Sequence, residues 1–256
     1  MGFGSRTLVR LAALLRRNRP APSLAYPLST AAAVNPRSAA RTDVGRVRSV
    51  NEDRVLDAPD RALWAVADGM GGLSAGDVAA QTAVTMLAAI EAVSEASLLD
   101  ALQRANAAIL AQGGGRSGAT IVAAHAHAGV ATVLWAGDSR AYQVRGTTVR
   151  RLTRDHSVVQ DLIDAGLLDE AQAEGHPRAN VVTRALGVTT PVTIDTMRVA
   201  VAPGDRILLC SDGVSRSLDL RDLGRGGALD ALADRLLGAA LERDGSDNAS
   251  LVLIDF

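Results

Sequence analysis

Residues 62–93, ALWAVADGMGGLSAGDVAAQTAVTMLAAIEAV, decide the kind of fold. The stretch opens on a short apolar run, residues 62–67, ended by Asp68-Gly69, and such a run closed by a turn pair reads as a strand. Residues 76–93 then carry a long apolar face at helical spacing, and a second helical pattern, residues 98–111, follows directly. Two helices in succession, with a series of strands behind them, break the strict alternation of a parallel doubly wound sheet. The order fits mostly antiparallel sheets flanked by helices, an α+β arrangement.

Three more apolar runs meet an Asp at one end: ATVLWA (131–136) before Gly137-Asp138, ILLC (207–210) before Ser211-Asp212-Gly213, and LVLI (251–254) after Asp247-Asn248. Further strands are expected at 120–124, 142–144 and 192–201, and a third helix at 229–241. WAGDSRAY reads as a hairpin with Gly137 and Asp138 near its turn. Residues 113–115 read as a flexible connector. Residues 152–187 are mainly polar, broken by His176-Pro177, and read as a surface insertion able to cover a site.

Of the 256 residues 48% are hydrophobic, enough for one sizeable core. All 27 basic residues are Arg, and seven of them precede the first acid, Asp43, which leaves 20 Arg against 28 acids in the remainder. An acidic body of this kind argues against nucleic acid as its main target and suits the binding of cations. The single cysteine, Cys210, excludes an intramolecular disulfide and a cysteine-rich zinc site; it reads as a small buried hydrophobe in a reducing, cytoplasmic setting. No apolar run is long enough to cross a membrane. Residues 7–19, TLVRLAALLRRNR, lack a cleavage site after their Arg-interrupted apolar stretch, against a secretory signal. With the Pro/Ala/Ser-rich stretch behind them, residues 1–40 read as a mobile extension, membrane contact being the alternative, and the domain is expected over 41–256.

Asp-Gly, Asp-Ser and Asp-Asn are ordinary turn formers, so each Asp alone has a structural explanation. Four at strand ends invite a different one, that they converge. Converging carboxylates repel unless cations sit between them, and clustered oxygen donors without Cys or His select Mg²⁺ or Mn²⁺. Among the four histidines there is no HExxH motif; His125 and His127 fall on one side of a strand and read as structural.

In order along the chain stand TDVGRVRSVNED (42–53), ADGMGGLSAG (67–76), GAT (118–120), AGDSRAY (136–142), DHS (155–157), TRALG (183–187), PGDRILLCSDG (203–213) and SDNAS (246–250). Together they resemble the bacterial PP2C-like (PPM family) metal-dependent serine/threonine protein phosphatases, over about residues 41–256. The resemblance implies a four-layer αββα sandwich of two antiparallel sheets between helix pairs, with a binuclear metal centre at one end. Carried over by position, Asp68 bridges both metals, the Gly69 carbonyl binds the first, and Asp212 and Asp247 bind the second. Glu52 and Asp53 hold metal-bound waters, and Asp138 joins Asp212 in a weaker third site. Arg48 grips the substrate phosphate, for which its planar fork is suited. Residues 152–187 match the family's variable flap, and Gly71 and Gly72 permit a tight turn. The implied activity is hydrolysis of phosphoserine and phosphothreonine in proteins by a metal-activated water, opposing a cognate bacterial Ser/Thr kinase, by a monomeric enzyme.

Two positions depart from the pattern. Leu73 stands where many bacterial relatives carry a His proposed to protonate the leaving group, and Met70 stands where eukaryotic relatives place a candidate acid, which leaves a metal-bound water or His156 as substitutes. Arg216 stands where some relatives have a carboxylate four residues after the Asp matching Asp212, so the third site looks weak; an exposed surface role is expected for Arg216, pairing with an acid or substrate being the alternative. The Leu73 departure supports an alternative, a pseudophosphatase that binds phosphoproteins without hydrolysing them. A metal-dependent nuclease would use similar carboxylates, but the acidic body disfavours it.

Overall fold

The computed structural model describes residues 36–71, 75–173 and 175–256. In chain order the elements are β1 (Arg37–Asp43), β2 (Asp53–Ala58), β3 (Leu63–Met70), α1 (Ala75–Ala88), α2 (Glu95–Gly113), β4 (Gly118–His127), β5 (Val130–Ala136), β6 (Arg140–Arg145), β7 (Thr148–Arg151), α3 (Val158–Asp164), α4 (Glu170–Ala173), β8 (Asp195–Ala200), β9 (Arg206–Cys210), α5 (Asp212–Ser215), α6 (Leu220–Gly224), α7 (Leu229–Arg243) and β10 (Ala249–Asp255). They build two five-stranded sheets, β1-β10-β9-β6-β7 and β2-β3-β4-β5-β8, with antiparallel pairing throughout.

Side chains alternate across a strand, and β3 uses both of its faces. Leu63, Ala65 and Ala67 meet Leu87 of α1 and Leu98 and Leu102 of α2, whereas Trp64 and Val66 face Ile207, Leu209, Val252 and Ile254 of the other sheet. Burial on both faces is why this run shows no polar alternation. The far side of the second sheet repeats the arrangement, with Leu208, Cys210, Leu251 and Leu253 packed on Leu232 and Leu236 of α7. The layers are therefore helix, sheet, sheet, helix, the αββα sandwich that the motifs imply. Each fully buried Leu contributes about 1.5–3 kcal/mol to it.

Several boundaries differ from expectation. The domain begins ahead of residue 41: Arg37 to Ala40 are already in β1, registered against Asp255 to Val252 of β10. An edge strand of sequence RSAARTD, in which Ala39 alone is buried, carries little apolar signal. Helix α1 stops at Ala88, not at residue 93, and Arg61 donates to the freed carbonyls of Ala88 and Ile90. Helix α2 starts earlier than expected because Ser94 and Ser97 form a reciprocal capping box, and it ends on left-handed Gly114. The polar insertion is anchored at both ends. Leu152 is buried between the sheets, and Leu186 exchanges backbone hydrogen bonds of 3.0 and 2.9 Å with Ala119. Cys210 is fully buried, which pushes its thiol up to about 12. The extension ahead of residue 36 lies outside the described residues, as do Gly72 and Leu73. No helix among the described residues is long and apolar enough to cross a membrane.

Candidate active site

The strand register brings the acids to one end of the sandwich. Asp53 opens β2 opposite Asp68 near the end of β3, and Asp68 is opposite Thr120 on β4. Asp138 lies in the turn between β5 and β6, Asp212 follows β9, and Asp247 precedes β10. Both sheets thus contribute. Burial, and then the charges of Asp53, Asp212, Asp138 and Asp247, push the Asp68 carboxyl well above the ordinary range. Asp138 is pushed up to about 7, chiefly by burial and then by Asp212 and Asp155. Asp53, 2% exposed, also goes to about 7 through burial, although Ser211 Oγ donates to its Oδ2 at 2.8 Å.

Two glycines fix the close approaches. A Cβ on Gly69 would lie 2.2 Å from the Gly76 carbonyl oxygen and 2.8 Å from that of Glu52, so only glycine lets β3 end against the start of α1. Gly137, at φ +124°, has the Thr120 side chain where its Cβ would be, at 2.4 Å. There Thr120 Oγ1 and Ser139 Oγ share a hydrogen bond of 2.7 Å, which joins β4 to the turn that carries Asp138.

Asn248 organises the loop over residues 44–52. Its Nδ2 donates to the carbonyls of Val44 and Val50, 2.9 Å each, and its Oδ1 accepts the Glu52 backbone N–H at 2.8 Å. This places Arg48 beside Asp247, with Nε–Oδ1 2.9 Å and Nη2–Oδ2 3.0 Å. Arg216 joins the group too, bonded to Asp212 Oδ2 and 3.4 Å from Asp247 Oδ2. Arg216 is exposed, as expected, and it also pairs with acids, the other reading open to it. Neither Asn248 nor Ser211 stands out from sequence, since their chemistry is that of ordinary loop residues until their partners, distant in the chain, are known.

His156 is not free to act as a proton donor. The residue is 8% exposed, and its ring lies parallel to Trp135 at 6.2 Å and accepts the Gly137 N–H on Nδ1 at 3.1 Å. Its Nε2 lies 2.8 Å from Arg184 Nη1, which can only donate, and 3.4 Å from Asp195 Oδ2, so both ring nitrogens are engaged. His125 and His127 stack on each other at the opposite end of β4 from Thr120, in keeping with a structural role.

A cleft of about 830 Å³ runs from Asp138, Asp212 and Arg216 to Val159, Glu170 and Asn180 of the insertion. Among the described residues, no three acidic, His or Cys side chains are already drawn together in metal-holding geometry. The donor set nonetheless fits divalent ions. Asp53 Oδ1 and Asp212 Oδ1 are buried without a hydrogen-bond partner, and such oxygens beside mutually repelling carboxylates call for positive charge. All-oxygen donors fit Mn²⁺ or Mg²⁺, not zinc.

The chain is similar in sequence and in fold to known protein phosphatases. The family model for protein phosphatase 2C matches residues 45–251. The serine/threonine phosphatase Stp of Listeria welshimeri is 35% identical over 236 residues, covering 84% of this chain and 94% of that protein. Among solved structures, PppA, described as a key regulatory component of T6SS in Pseudomonas aeruginosa, superposes with a TM-score of 0.80 at 38% identity, covering 87% of this chain and 98% of that one. The catalytic domain of PstP in complex with two manganese ions gives a TM-score of 0.78 at 33% identity, covering 86% and 97%. With most of its length matched in sequence and in fold, the chain belongs to the protein phosphatase 2C family.

Proposed function

We propose that this chain removes phosphate from phosphoserine and phosphothreonine in proteins at the carboxylate end of the sandwich, by direct hydrolysis. Family membership makes it a metal-dependent serine/threonine protein phosphatase. The observation that carries the site assignment is the gathering of Asp53, Asp68, Asp138, Asp212 and Asp247 from both sheets, with the buried Asp212 Oδ1 left open. Asp68, the Gly69 carbonyl, Asp212 and Asp247 would hold two Mn²⁺ or Mg²⁺ ions, Glu52 and Asp53 would order the waters beside them, and Asp138 with Asp212 would form a weak third position. Two such ions, when bound, activate water and neutralise charge on a phosphoryl group.

The chain's own residues do the rest. Arg48 is half exposed at the rim, with its fork directed at Asp247. Turned to a phosphate, the same fork spans two oxygens and orients phosphorus for in-line attack. Asn248 keeps it within reach by fixing the loop on either side. The cleft toward the insertion gives room for the polypeptide around the phosphoresidue. We assign the enzyme to the cytoplasm as a monomer that opposes a cognate Ser/Thr kinase. The direct test is Mn²⁺-dependent release of phosphate from a phosphothreonine peptide by the wild type and by Asp212→Ala. Loss in the variant supports the reading, and absence of metal-dependent release from any phosphomonoester by the wild type would refute it.

A further inference from the structure

Arg216 caps the C-terminal end of α5, one turn after Asp212, and its Nη2 bonds Asp212 Oδ2 and lies 3.4 Å from Asp247 Oδ2. The side chain is 30% exposed, so these contacts are shielded in part from water. Two carboxylates from separate segments are thus joined by a permanent monocation. Arg216 engages the Oδ2 atoms of both carboxylates that would hold a divalent ion, Asp212 Oδ1 staying open and Arg48 bonding Asp247 as well, and a guanidinium held against the same two carboxylates repels an incoming cation. An ion entering there must displace the guanidinium, and its apparent affinity falls by the cost of that exchange. The way out is open, because Arg216 lines the cleft shared with Asp138, Glu170 and Asp244, where a displaced guanidinium has other acids to meet.

We propose that Arg216 is the resident counter-cation of the Asp212–Asp247 pair, stabilising the metal-free site and weakening divalent ion binding there. This rests on the metal assignment of the preceding section. It raises the Mn²⁺ concentration at which the site half-fills, relative to a chain with a neutral residue at 216.

The experiment is calorimetric titration of Mn²⁺ into the full chain as wild type, Arg216→Ala, Arg216→Gln and Asp212→Asn. Both Arg216 variants should bind Mn²⁺ about tenfold more tightly than the wild type, since the displacement step is gone. The glutamine variant keeps the length of the side chain if alanine impairs folding. Equal or weaker binding by the Arg216 variants, with binding reduced in Asp212→Asn, overturns the assignment of Arg216 and leaves the metal site standing. No binding by any of the four proteins overturns both.

Discussion

Ser211 Oγ donates to Asp53 Oδ2 at 2.8 Å across the gap between the two sheets, directly beneath the cluster of acids. The same oxygen accepts the Ser250 N–H at 3.0 Å, while Asp53 Oδ1 has no partner. A hydroxyl that serves both a buried carboxylate and a buried amide is costly to remove, because neither group finds water in its place. Ser211→Ala should lower the free energy of unfolding by about 2 kcal/mol, measured by urea denaturation in chelator. Ser211→Thr, which keeps the hydroxyl, should recover part of the loss. A change within experimental error in Ser211→Ala would mean that the bond contributes nothing to the joining of the sheets.

Asn248 makes three backbone contacts that position Arg48 without touching substrate. Asn248→Asp keeps an acceptor for the Glu52 N–H but loses both donors and adds a further negative charge beside Asp247. Asn248→Ala loses all three contacts. Both variants should raise KM for a phosphopeptide more than they lower kcat, by about 10- to 100-fold, the range seen when groups supporting a site are removed. Steady-state kinetics at saturating Mn²⁺ separates the two parameters. A purely structural role would show instead as a lower melting temperature with KM unchanged.

How much of this could be read in advance follows from the range of the contacts. Asp68, Asp212 and Asp247 stand at the ends of apolar runs, so the strands that carry them also announce them. Strand β1 does not announce itself, because an edge strand needs apolar side chains on one face only, and in RSAARTD the one fully buried residue is Ala39. Strand β2, DRVLDA, is half polar for the same reason. At the site, it is side-chain direction that contacts distant in the chain decide. His156 has the chemistry of a proton donor, but Gly137 and Asp195, remote in sequence, engage both of its nitrogens. Arg216 is four residues from Asp212 and so within reach along a helix, yet its approach to Asp247 depends on how β9 and β10 pair.

The His156–Asp195–Arg184 group gives a pH dependence of defined sign. Interaction with His156 first, and then with Arg184, holds the Asp195 carboxyl below its usual range despite partial burial. A depressed carboxylate stabilises the fold above the unfolded value of about 4 and loses that contribution as pH falls through its folded value. The stability difference between wild type and Asp195→Asn should therefore be constant from neutral pH to about pH 5 and shrink below about pH 4. It should also be small, under about 1 kcal/mol, because the side chain is 41% exposed. Urea midpoints across this range test it, and a difference that grows on acidification would contradict the direction of the shift.

Leaving-group chemistry supplies the last prediction. Met70 ends β3 and cannot donate a proton, Leu73 is aliphatic, and His156 is engaged elsewhere. A serine or threonine alkoxide leaves poorly without a proton, while an aryl oxide leaves well, and general acid assistance is worth about 10²- to 10⁴-fold. The enzyme should therefore favour p-nitrophenyl phosphate over a phosphothreonine peptide more strongly than a Leu73→His variant does. Introducing the histidine should narrow the ratio of the two kcat/KM values, mainly by raising that for the peptide. If Leu73→His binds Mn²⁺ normally and leaves the ratio unchanged, position 73 is not where the leaving group takes its proton, and solvent within the cleft must supply it.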